Sequence, residues 1–261
     1  MHATTCKDSI FWDNFDISPM RKFILTLLIS LYSLSAYAQK TTDFDALMRD
    51  YGLVNIHDID NTILVDLKYS TKDNFVGKDM YGSLNTAYFE REFALRIAHA
   101  HQLLKKRNPN YRLLIYDAAR PISVQRAMRK CVEGTPFESF VADGTKGGRH
   151  NYGVAVDLTI ATSDGKPLDM GAPFDDFSDT AAVKGTADTD EAATRTPKVY
   201  QAYANEQVKN GVLSREAADN RILLIEVMHE AGLMPYRREW WHFEELMSMS
   251  DTRATYKLLN F

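Results

Sequence analysis

GGRHNYGVAVDLTI, residues 147–160, runs from a glycine-rich loop into a strand of period two. Val154, Val156, Leu158 and Ile160 alternate onto one face, and Ala155, Asp157 and Thr159 onto the other. One carboxylate thus projects from the middle of an otherwise apolar strand. A buried carboxylate is costly unless it is paired or bound to a metal. Ala155 beside it is small and leaves room for a partner. His150 stands seven positions before Asp157, and a fully extended chain would carry it roughly 23 Å away. The chain must fold back if the two are to meet, and Gly153 supplies the turn. Two readings stand for this segment: a metal site, or an Asp157 paired with a basic residue below the strand.

Outward from this strand, helices and strands mix without a regular βαβ alternation. The pattern predicts an α+β fold: one compact domain with a small, mainly antiparallel sheet flanked by helices, its site in a cleft on the sheet. Apolar spacing predicts helices over 43–52, 86–106, 121–132, 200–210 and 214–230, with Pro121 in a first turn and Gly232 as a terminator. Strands are expected at 63–67, 111–116, 154–160 and 240–243. The small, polar stretch 175–197 reads as a loop or lid.

A chain of 261 residues is long enough to bury one sizeable core. The formal net charge of -4 and the absence of a basic stripe argue against a nucleic-acid partner. Cys6 and Cys131 are too few for a disulfide framework and lack the paired spacing of a cysteine zinc site. Residues 20–38, MRKFILTLLISLYSLSAYA, read as a signal peptide: a basic start, an apolar core and an A-x-A end at Ala36-Tyr37-Ala38. The apolar run is too short for a comfortable membrane span, so no stable span is expected after cleavage. Residues 1–19 carry Asp8, Asp13 and Asp16 and do not suit a leader. They read as a start-site artefact before Met20, and the product as exported or periplasmic.

Two further segments carry chemistry-bearing residues. Glu239-Trp240-Trp241-His242 places an acid and a histidine three apart, which on a regular strand face opposite ways. A bulge or helical turn is implied if both serve one site. Asp117-Ala118-Ala119-Arg120-Pro121 sets an acid and an arginine where a strand gives way to a helix. His99, His101 and His229 fall inside helices with no partner at ligand spacing and read as surface or core residues.

H-x-x-G-x-A-x-D followed by a distant E-x-x-H and preceded by D-x-x-R-P resembles the zinc peptidases that include D-alanyl-D-alanine carboxypeptidases and VanX-type D-alanyl-D-alanine dipeptidases. The dipeptidase branch is favoured by Asp66-Leu67-Lys68-Tyr69, Asp73-Asn74-Phe75-Val76-Gly77, Asp157-Leu158-Thr159, Met170-Gly171 and Phe174-Asp175. The resemblance implies that 39–261 is a zinc D,D-dipeptidase domain holding one Zn²⁺ per chain through His150, Asp157 and His242. It implies Glu239 as general base and acid, Arg120 as stabiliser of the oxyanion, and Tyr69 and Asp175 as holders of the amino end of a small dipeptide. The implied activity is hydrolysis of D-alanyl-D-alanine in cell-wall turnover or salvage. A carboxypeptidase or endopeptidase acting on longer peptidoglycan peptides, and a non-catalytic zinc-stabilised domain binding cell-wall fragments, are the alternatives. Gly148 stands where the family usually has a serine, and the export signal departs from the cytoplasmic setting of the well-known dipeptidases.

Overall fold

The computed structural model describes residues 42–184 and 196–261. The expected leader and the centre of the 175–197 loop lie outside the described residues. From Asp43 onward the chain forms a single contact unit. In chain order its elements are α1 (Phe44–Asp50), β1 (Val54–Asn55), β2 (Leu64–Val65), β3 (Tyr88–Phe89), α2 (Arg91–Arg107), β4 (Tyr111–Asp117), α3 (Ile122–Val132), β5 (Ala155–Thr162), α4 (Pro197–Lys209), α5 (Arg215–Glu230), β6 (Leu233–Pro235), β7 (His242–Glu245) and α6 (Met249–Thr255).

Five strands form the main sheet in the order β2-β4-β5-β7-β6. Only β2 and β4 run parallel; the other pairs are antiparallel. The expected α+β class with a small, mainly antiparallel sheet is what the chain adopts. β5 lies at the centre, and every residue from Ala155 to Ala161 is buried. Both faces of this strand are therefore covered, and Ala155 and Thr159 are core positions.

The helices follow their local signals. Glu90 caps α2 by accepting the Phe93 N–H at 3.0 Å, and Lys105, Lys106 and Arg107 sit in its last turn, where a helix favours cations. Ser214 caps α5 through the Ala217 N–H. α2 and α5 pack on each other and on the sheet.

Several boundaries differ from expectation. The helix expected from 86 starts at Arg91, because Tyr88 and Phe89 pair with Val54 and Asn55. The strand expected over 63–67 narrows to Leu64–Val65. α4 begins at Pro197 rather than 200, since proline suits a first helical turn. The strand expected at 240–243 begins only at His242. Trp240 and Trp241 belong to the preceding turn, which their bulky apolar side chains disguised as a strand. β6 and α6 lacked sequence signals long enough to announce them.

The register sets up the site. Asp117 on β4, Asp157 on β5 and His242 on β7 are direct cross-strand partners. A shift between Ile115 and Asp117 puts Tyr116 out of register. This bulge turns Asp117 to the face of Asp157, where unbroken pairing would have placed Tyr116.

His101 shows how α2 is locked to the sheet. Its Nδ1 accepts the Leu113 N–H at 3.2 Å, so its proton sits on Nε2, 3.0 Å from the Thr62 hydroxyl. Burial, aided by Lys105, pushes this imidazole down from 6.5 to about 4. The unfolded chain takes up the proton first as pH falls, so stability drops between pH 6.5 and 4. Allowing for solvent screening, His101 should account for about 2 kcal/mol of that loss. Urea unfolding of wild type and His101→Gln at pH 7 and pH 4 checks this; equal pH dependence in the two proteins refutes it.

Candidate metal centre and active site

Three side chains from distant segments converge on one point. His150, Asp157 and His242 each offer one ligand atom, and these atoms lie within 4.8 Å of one another. His242 Nδ1 is 2.9 Å from Asp157 Oδ1, and His150 Nε2 is 3.4 Å from the same oxygen. His150 Nε2 and His242 Nδ1 are 3.3 Å apart.

Local structure explains each placement. Residues Arg149–Tyr152 form a single 3₁₀ turn that ends on Gly153 at φ 72°. This folds the chain back and brings His150 over the sheet. A Cβ on Gly153 would meet the Glu90 nitrogen and the Leu53 side chain at 3.1 Å, so glycine is required for space as well as backbone angle. His242 opens β7 after a turn in which its N–H reaches the Glu239 carbonyl at 3.4 Å. The helical turn implied by the E-x-x-H spacing is present, and the Glu239 carboxylate comes to 3.9 Å from His242 Nδ1.

The far nitrogens of both imidazoles are also held. His150 Nδ1 lies 2.8 Å from the Ala118 carbonyl, which accepts a hydrogen bond from the Nδ1–H and leaves the Nε2 lone pair facing the centre. His242 Nε2 faces Glu244 at 3.4 Å, and Arg149 braces Glu244 from behind at 3.2 Å. Two nitrogens and one carboxylate oxygen with a free approach are the donor set of an open catalytic zinc site.

Electrostatics point the same way. Burial would raise the Asp157 carboxyl, yet His150 and His242 hold it well below the carboxylate range. Burial opposes charge on His242 too, but Asp157 and Glu244 push it up to about 10. Without a metal, the site must keep a proton on an imidazole to balance its acids. A divalent cation bound by the same three atoms would supply that charge, so the residues present fit a metal.

The cleft around this point encloses about 330 Å³ and is lined by Tyr69, Arg120, Asp175 and Glu239 as well as the triad. Burial pushes Glu239 up to about 7, with His242 pulling down and Asp157 pushing up. Arg120 is clamped by Asp117, by Gln125 at 2.9 Å and over the Tyr69 ring at 5.2 Å. Tyr69 donates to both Asp175 carboxylate oxygens at 3.1 Å. Burial, reinforced by Asp157, raises the Asp175 carboxyl well above its ordinary range. All seven residues singled out from sequence thus meet at one cleft.

Sequence reasoning named Asp117 without a role and left out Glu244, Gln125 and Tyr81, which also hold these seven. Asp117 accepts from Tyr81 at 2.6 Å and fixes Arg120. Glu244 sits behind His242, and its signal was period two: on β7 it shares the face of His242. Gln125 and Tyr81 had no such signal, since only tertiary contact brings them in. At Gly148, where the family serine is missing, an added Cβ would meet nothing within 4 Å.

A family model described as D-ala-D-ala dipeptidase matches residues 49–256. A curated D-alanyl-D-alanine dipeptidase of Escherichia coli K12 is 30% identical over 192 residues, covering 74% of this chain and 83% of that protein. The D-alanyl-D-alanine dipeptidase of Synechocystis is 26% identical over 200 residues, covering 65% and 73% respectively. That of Enterococcus faecium is 26% identical over 214 residues, covering 74% and 91%.

The two glycines beside His150 should respond differently to alanine. Gly153→Ala should cost about 1–3 kcal/mol and loosen the metal site, because its left-handed backbone and crowded surroundings both resist a side chain. Gly148→Ala, with φ −99° and open space, should stay within about 0.5 kcal/mol of wild type. Denaturant midpoints and bound-metal stoichiometry read both; equal behaviour of the two variants contradicts the assignment.

Proposed function

The chain belongs to the D-Ala-D-Ala dipeptidase family of peptidases, and we propose that it hydrolyses D-alanyl-D-alanine to two D-alanines with one zinc ion per chain. The observation carrying this reading is the convergence of the three donor atoms with Glu239, Arg120 and Asp175 in one cleft. Two imidazoles and a carboxylate suit zinc, and His150, Asp157 and His242 would hold it. When bound, zinc lowers the pKa of a bound water from about 16 towards 7 and polarises the scissile carbonyl.

The chain's own residues do the rest. Glu239 accepts a proton from the attacking water and passes it to the leaving amine. A carboxyl pushed up to about 7 is matched to taking and giving a proton near neutrality. Arg120, prevented from swinging away by Asp117 and Gln125, meets the negative charge developing on the carbonyl oxygen. Asp175 pairs with the free ammonium of the substrate, oriented by the Tyr69 hydroxyl. An incoming ammonium would return Asp175 to its charged form, which burial alone disfavours.

The leader-like segment at 20–38 supports the proposal that this activity lies outside the cytoplasm, in turnover or salvage of cell-wall dipeptide in the periplasm. Among the described residues no helix is long and apolar enough to cross a membrane. N-terminal sequencing of secreted protein should read Gln39 as the first residue; a mature chain beginning well before Gln39 overturns this assignment.

Glu239→Ala should lower kcat by about 10²–10⁴-fold while keeping one zinc per chain. His242→Ala should instead lose the metal. D-alanine release and zinc analysis on purified variants decide both; an active Glu239→Ala, or a fully metallated His242→Ala, removes the role given to that residue. A tripeptide ending in D-Ala-D-Ala carries no free ammonium at the position facing Asp175. It should therefore be cleaved at least about 100-fold less efficiently, and equal rates would favour a carboxypeptidase.

A further inference from the structure

Asp175 has the only positive φ of a non-glycine residue among the described residues, at 61°. It sits on a loop whose Phe174 packs against Tyr116 of β4. Polar support for the loop comes from α5. Arg221 is 2% exposed. Its Nε donates to the Met170 carbonyl at 2.6 Å and its Nη1 to the Ala182 carbonyl at 3.2 Å. One guanidinium therefore bridges the two ends of the loop that carries Asp175. Neighbouring contacts reinforce the clamp. Trp240 Nε1 donates to the Ala172 carbonyl at 3.1 Å, and the Val183 and Lys184 N–H groups both reach the Arg237 carbonyl. Gly171 is pressed so close to the start of α5 that a Cβ would meet Leu213, just before the helix, at 2.5 Å and Ala217, in its first turn, at 3.1 Å.

A buried arginine with no carboxylate bonded to it among the described residues is an expensive way to satisfy two carbonyls. A packed leucine and a tighter turn would be cheaper. The charge and planar fork fix a separation between two chain segments, and a flexible apolar contact would not. We infer that Arg221 is a positioning residue: it holds the loop of Asp175 so that the carboxylate faces the substrate's ammonium, and thereby sets the enzyme's affinity for peptides with a free amino end. This rests on the role given to Asp175 above.

The test compares Arg221→Met, Arg221→Lys and Asp175→Asn in the zinc-loaded enzyme. Steady-state kinetics on D-Ala-D-Ala is combined with amide hydrogen exchange. Both Arg221 variants should raise KM by about tenfold with kcat within about twofold, since ground-state orientation is lost and the reacting centre is kept. Exchange of the Val183 and Lys184 amides should quicken, and zinc should stay at one per chain. Combining Arg221→Met with Asp175→Asn should raise KM no further than Asp175→Asn alone. A folded, zinc-loaded Arg221→Met with unchanged exchange in 170–184 overturns the clamp. Faster exchange with unchanged KM overturns the link to affinity, provided Asp175→Asn itself raises KM. If Asp175→Asn leaves KM unchanged, the role given to Asp175 fails, whatever the exchange shows. An additive double variant shows that Arg221 acts on something other than Asp175.

Discussion

Asp157 sits near the start of the central strand, almost fully withdrawn from water, and keeps its negative charge there. A carboxylate in that position is tolerable only if positive charge stands against it at all times. Much of the surrounding architecture supplies that condition. β7 delivers His242 as the direct cross-strand partner, and the 3₁₀ turn ending at Gly153 delivers His150 from above. A bulge in β4 delivers Asp117 to the same row, and Asp117 in turn fixes Arg120. His150, His242 and Arg120 are thus each set against an acid at a strand position.

This arrangement separates the acids by task through environment alone. Asp157 faces two imidazoles and stays ionised. Glu239 stands one step further from them and is poised near neutrality. Asp175 lies beyond both, close to a tyrosine rather than a cation, and needs a cationic ligand to ionise. Burial pushes all three carboxyls up, and what separates them is how strongly neighbouring cations and hydrogen bonds counter it, which suits the different roles proposed for them.

The sequence exposed the parts of this scheme that rest on local pattern. The alternation in 154–160 marked a strand, the lone Asp157 marked a site, and Gly153 marked the fold-back of His150. The E-x-x-H spacing called for a turn before His242, and the structure contains one. Residues whose roles depend on register were invisible: nothing in the sequence says that Tyr116 bulges and so turns Asp117 inward. Trp240 and Trp241 misled in the opposite direction, because aromatic residues in a turn packed on a core look like strand residues. Their surroundings, including the Ala172 carbonyl that Trp240 caps, come from a loop nearly seventy positions away. Family resemblance supplied what local pattern lacked for Glu239 and Arg120, since family-wide spacing carries tertiary information that a single strand does not.

The donors also sit far apart along the chain: His242 meets Asp157 across 85 positions and His150 across 92. Closing so long a loop is an entropic expense that local helices never face, and non-local strand pairing of this kind forms slowly. The pairing of β5 with β7 is what completes the donor set. A chain arrested with α2 and β4 formed but β7 undocked would hold at most two of the three donors. If this centre binds the proposed metal, metal affinity reports on maturity: the donor set is complete only when the C-terminal strand has docked, and a captured ion would cross-link the two halves of the sheet against reopening.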